Sequence, residues 1–139
     1  MLFPSREWCE AAAVAMLRDP EVIAAIADFG PVVAGVVIER GEGLESDFCA
    51  LARIEPGKPV KLSYPEDEDE MEALEPDYIG WASADLCRKL LQQEKPDPLK
   101  AILERKVRLQ GDLERLIKHA GRHHGAGLEA LRSVPTEFV

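Results

Sequence analysis

Apolar residues recur along the chain with two different periods. Near the start, Trp8, Ala12 and Met16 fall four apart, the spacing of one helix face. Ser5 stands where an N-cap belongs, and Glu7 complements the dipole of the opening turn, so a helix is predicted from there. Its many small alanines let a neighbour approach closely. Asp19-Pro20 restarts a helix, with Asp as N-cap and Pro as first helical residue. Val22, Ile23, Ile26 and Phe29 form its apolar side, and Gly30-Pro31 stops it. Val32 to Ile38 reads V-V-A-G-V-V-I, which predicts a central strand buried on both faces. Gly35 weakens such a strand and marks close approach by another element.

The period then shortens to two. Phe48, Ala50, Ala52 and Ile54 share one side of a strand within 46–54, and Val60, Leu62 and Tyr64 one side of the next. Glu55-Pro56-Gly57-Lys58 between them has the residue order of a type II turn. Pro65 to Glu75 reads as an acidic loop or short helix, and Tyr78 to Ala82 as a fourth strand. Ser83 caps a helix carrying Leu86, Leu90 and Leu91; Pro96-Asp97-Pro98 breaks it, and Leu99, Ile102 and Leu103 line a shorter one. Lys106 to Gln110 is a fifth strand, polar on one face and apolar on the other. Asp112 caps the last long helix, where Leu113, Leu116, Ile117 and Ala120 make one stripe, supported by the Glu114–Lys118 pair. This order, with its short hairpins, predicts an α+β fold: a five-stranded, mainly antiparallel sheet with helices packed on one face. At 139 residues the chain is expected to be one domain, 1–139.

Charge narrows the function. Seventeen basic against 26 acidic residues give a net charge of -9. Such a surface repels phosphate backbones, so nucleic acid is not an expected partner, and it disfavours electrostatic docking to an anionic membrane. Cys9, Cys49 and Cys87 are few, odd in number and far apart, which argues against disulfides or zinc and for reduced thiols in a cytoplasmic protein. No signal peptide is expected from the start of the chain, and its end, Glu137-Phe138-Val139, is no peroxisomal address. No apolar run approaches the roughly 20 residues of a membrane span.

Catalytic signatures do not emerge. There is no G-x-G-x-x-G, Walker loop, G-x-S-x-G or H-E-x-x-H motif. His119 and His123, at i and i+4, could present two nitrogens to one metal, but no E-x-x-H accompanies them, and a surface or helix-end role is the simpler reading. The acidic run Asp67 to Glu72 lacks the glycine and spacing of a calcium loop. Cys87 follows a helix cap but sits among leucines, as a packed thiol does. The chain is therefore read as a non-enzyme with no metal and no cofactor.

The segment from Pro76 to Ala120 has an apolar strand (Ile79 to Ala82), a capped helix (Ser83 to Leu91), an Asp97-Pro98-Leu99 step, and a basic-apolar strand running into Gly111-Asp112. That order resembles the sterol carrier protein 2-like family, as do Trp8 and Asp19-Pro20. The resemblance implies a five-stranded sheet covered by helices, with an apolar tunnel between them holding a sterol-like, fatty-acyl or other apolar molecule. It implies a carrier with a lipid as partner, as monomer or homodimer, touching membranes transiently. Candidate wall residues are Trp8, Ala12, Met16, Ile26, Val37, Ile79, Trp81, Leu90, Leu103, Val107, Leu109, Leu113 and Ile117. The alternative is a cavity-free structural or interaction module, homodimerising or accessory to a lipid-pathway enzyme.

Overall fold

The computed structural model describes residues 1–41, 43–92, 98–123 and 127–138. Pro96 and Asp97, which figure in the expectations above, lie outside the described residues. After a two-residue strand, β1 (Leu2–Phe3), come helices α1 (Arg6–Met16) and α2 (Pro20–Phe29). Both begin at the expected caps: Ser5 Oγ accepts from the Trp8 amide at 3.1 Å, and Asp19 Oδ1 from the Glu21 amide at 2.9 Å. Gly30 closes α2 with φ 85°, a backbone region that penalises any β-carbon.

Five strands form the main sheet: β2 (Val32–Glu39), β3 (Phe48–Ile54), β4 (Lys61–Ser63), β5 (Tyr78–Ser83) and β6 (Arg108–Gln110), in the order β4-β3-β2-β5-β6. Three pairings are antiparallel and the β2–β5 pairing is parallel, so the sheet is mixed but mainly antiparallel. A parallel neighbour cannot be reached by a tight hairpin. The chain reaches it through β3, β4 and the acidic segment, which forms a short helix, α3 (Glu68–Ala73), capped by Asp67. The remaining elements are α4 (Ala84–Gln92), α5 (Pro98–Leu103), α6 (Leu113–Arg122), α7 (Leu128–Arg132) and β7 (Glu137–Phe138).

Alternation along the strands gives the sheet two unlike faces. On one, Val37, Cys49, Leu51, Ile79 and Trp81 pack with Met71 of α3 into a closed cluster. Val37, Leu51 and Met71 have no exposed surface there. Gly35 lies beneath this helix, and a β-carbon on it would overlap Met71 Sδ, which is the close approach expected of this glycine. Met71 is itself fully buried. Gly35→Ala should therefore cost about 1–3 kcal/mol through overpacking, read as a lower denaturant midpoint at unchanged slope.

A second cluster joins the two chain ends. Phe3, Trp8, Ala12, Ile38 and Val134 are its buried members. β1 and β7 run parallel, with Phe3 paired to Phe138, and Trp8 Nε1 donates to Thr136 Oγ1 at 2.8 Å. The segment beyond Gly127 thus folds back on α1 of its own chain. Two-residue strands are too short to show a period in sequence.

Candidate functional site: an apolar cavity over the sheet

The residues of opposite parity face the longer helices. Val32, Ala34 and Val36 of β2 lie beside Ala50, Ala52 and Ile54 of β3, with Leu62, Tyr78, Gly80 and Leu109 on the flanking strands. Side chains must span the gap between two layers to close a core. Ala34, Ala50, Ala52 and Gly80 are too short to do so, as are Ala12, Ala13 and Ala25 on the helices above. The result is a cavity of about 630 Å³ between the sheet and α1, α2 and α6. Small-molecule pockets run to roughly 300–1,000 Å³. Val36, at the middle of the central strand, is 37% exposed because nothing packs down on it.

Helical residues complete the wall: Trp8, Cys9 and Met16 from α1 and Leu17 at its C-cap, Val22, Ile26 and Phe29 from α2, Ile102 from α5, Leu116 and Ala120 from α6, and Leu131 from α7. No Asp, Glu, Lys or Arg lines the cavity among the described residues.

Of the residues proposed from sequence, Trp8, Ala12, Met16, Ile26 and Leu109 border this cavity. Val37, Ile79 and Trp81 do not: strand parity turns them to the opposite face, under Met71. Leu103 and Leu113 are 64% and 42% exposed. Leu90, Val107 and Ile117 are half-buried away from the cavity. α6 and its C-cap, His123, offer Leu116, His119, Ala120 and His123 to the interior instead of Leu113 and Ile117, a rotation of the inward face by one residue position. Ala34, Ala50, Ala52 and Gly80 were missed because small residues look like weak core formers. Their shared parity on neighbouring strands was the available signal.

One end of the cavity is polar. His119 Nε2 lies 2.8 Å from the Ala25 carbonyl oxygen, and His123 Nε2 lies 2.9 Å from Asp28 Oδ2. Asp28 Oδ2 also accepts from Arg122 Nε at 3.0 Å. Hydrogen bonds from His123 and then Arg122 hold the Asp28 carboxyl below its usual range. The His119 ring meets Phe29 edge-on at 4.8 Å, and the Arg115 guanidinium lies 4.2 Å from the same Phe29 ring centroid. Asp28, His119 and His123 bring possible ligand atoms within 4.8 Å of one another, a convergence between α2 and α6 that sequence spacing cannot reveal. Each Nε2 and the shared carboxylate oxygen already has a hydrogen-bond partner, so the group is a satisfied network that ties α6 to α2.

The thiols are quiet. Burial pushes Cys9 and Cys87 up to about 11 and raises Cys49 as well. Alkylation by iodoacetamide at pH 8 should run at least about tenfold slower in the folded chain than in urea, since the thiolate is the reactive form. Equal rates would show that these thiols are not shielded.

Comparison with known proteins places this architecture. The chain superimposes on a crystal structure of sterol carrier protein 2 with a TM-score of 0.72 at 12% identity, covering 94% of this chain and 98% of that one. A conserved protein of Thermus thermophilus, solved in solution, gives 0.70 at 12% identity, covering 96% and 90%. The sterol carrier protein domain 2 of Helicoverpa armigera gives 0.59 at 21% identity, covering 87% and 86%. No protein-family model and no curated protein matches the sequence.

Proposed function

We propose that this chain, which has the sterol carrier protein 2 fold, is a small lipid-binding protein that carries one apolar chain between sheet and helices. The observation that carries the reading is the 630 Å³ cavity whose described lining holds no Asp, Glu, Lys or Arg. An aqueous ion gains nothing there, whereas each methylene transferred from water gains about 0.8 kcal/mol. A chain of a dozen methylenes therefore gains roughly 10 kcal/mol before the cost of immobilising it. The names of the similar structures point the same way, since two of those compared are called sterol carriers.

We read the protein as a carrier and not a catalyst. Support comes from thiols pushed well above neutrality and from a described lining without a carboxylate or amine to act as base or nucleophile. No described helix is long and apolar enough to cross a membrane. Delivery would therefore proceed by contact with a bilayer or by release into water, from a monomer or a homodimer.

The test is organic extraction of natively purified protein, with mass spectrometry of what co-purifies, together with titration of a fluorescent fatty acid. Stoichiometric lipid and saturable binding are expected. A clean extract combined with no binding would overturn the carrier reading and leave the cavity-free interaction module.

A further inference from the structure

The cavity has one polar pole, where His119 and His123 join its lining. Its described lining holds only four ionisable side chains: Cys9, Tyr78, His119 and His123. Burial keeps Cys9 protonated, and the Tyr78 hydroxyl donates to the Asp112 carbonyl oxygen at 3.1 Å. His119 and His123 remain, with ring centroids 4.8 Å apart.

Their tautomer follows from their partners. A carbonyl oxygen and a carboxylate can only accept, so Nε2 carries the hydrogen on both rings. Among the described residues no hydrogen bond engages either Nδ1. In the neutral ring that atom is an acceptor, and once protonated it becomes a donor. Charged groups surround the pair on several elements. From α2 comes Asp28, already matched by Arg122 at 3.0 Å. From α6 comes Arg115, which stacks on Phe29 and donates to the Phe29 carbonyl oxygen. From α1 and β5 come the neutral Cys9 and Tyr78, with the Glu10 carboxylate acting on Cys9 and those of Asp112 and Asp77 on Tyr78.

We propose that the ligand is a single-chain amphiphile with an acidic head, seated in the gap between α2 and α6. The head binds Nδ1 of His119 or His123, and the hydrocarbon lies over Ala34, Val36, Ala50 and Ala52. This rests on the lipid-carrier reading and adds the head chemistry and the orientation. An entering carboxylic acid passes its proton to Nδ1, leaving a carboxylate and an imidazolium joined by a charge-assisted hydrogen bond. A methyl ester has no proton to give, and an alcohol forms only a neutral hydrogen bond.

Hexadecanoic acid, hexadecanol and methyl hexadecanoate, titrated against the full chain, separate the possibilities. The acid should bind about tenfold or more tightly than the ester, the scale of a hydrogen bond to a charged group. A double variant, His119→Phe with His123→Phe, should erase that margin, acid and ester then binding with equal affinity. Should the variant not fold, nitrogen NMR of histidine-labelled wild type decides: addition of the acid, but not of the ester, should move one Nδ1 resonance to its imidazolium position. Equal affinity for all three ligands, tighter binding of the alcohol, or unmoved Nδ1 resonances would each overturn the head assignment. In those cases the carrier reading stands, and only failure of all three ligands to bind removes both.

Discussion

Ala52→Trp should weaken lipid binding roughly 100-fold in a protein that folds as well as before. Ala52 lies on β3, opposite Ala34 on β2 and Leu62 on β4, in the floor of the cavity. It is half-buried, and the space above it is the cavity itself. An indole placed there occupies volume that the ligand chain would fill. Displacing four methylenes forfeits about 3 kcal/mol, which weakens binding roughly 100-fold. The same indole fills a void with apolar atoms, a change that commonly raises stability by about 0.5–2 kcal/mol. Loss of affinity and retained stability are opposite in sign, so a general folding defect cannot produce both. Displacement of a fluorescent fatty acid and thermal unfolding measure the two. Wild-type affinity in a folded Ala52→Trp protein would show that the ligand does not lie over this floor.

The sequence made the elements of this cavity legible but not its location. Caps at Ser5, Asp19, Ser83 and Asp112 are local features: a short polar side chain meets an amide two or three residues on. Such features can be read without knowing the fold. Gly35 announced Met71 because few causes place glycine inside a β-branched run. The central strands are a different case. Alternation says that Ala50, Ala52 and Ile54 share a side and that Ile79 and Trp81 share another. It does not say which side receives the long helices. Both faces of β2 are apolar, so no polar face marks the outside. Large residues were therefore assigned to the ligand wall, although large residues close a core, and the cavity lies where small ones leave it open. On α6 the apolar stripe through Leu113 and Ile117 outweighed the two histidines. The hydrogen bonds from His119 to Ala25 and from His123 to Asp28 turn the inner face by about one position. Those partners are 94 and 95 residues away in sequence, beyond the reach of any local pattern.

Trp81→Ala provides the complementary experiment, because it was first a candidate wall residue and the fold places it under the sheet. Its indole is 6% exposed and packs with Val37, Ile79 and Met71. Nε1 donates to Glu68 Oε1 on α3, and the Arg108 guanidinium lies 4.2 Å from the ring centroid. Removing the ring strips apolar contact from the closed face and leaves a hole that Met71 cannot fill without leaving Gly35. Truncations of this kind cost about 3–5 kcal/mol. α3 should also loosen, since Trp81 holds it to the sheet through Glu68. The cavity floor is built on the opposite parity, so affinity per folded molecule should be that of wild type at temperatures where the variant remains native. Chemical denaturation gives the stability, and lipid titration corrected for the folded fraction gives the affinity. The reverse pattern, with unchanged stability and lost binding, would put the indole in the ligand wall and overturn the division of the sheet into a closed face and a binding face. Taken with Ala52→Trp, it asks whether the two faces of one sheet can be separated: one governs how long the chain stays folded, the other what it can hold.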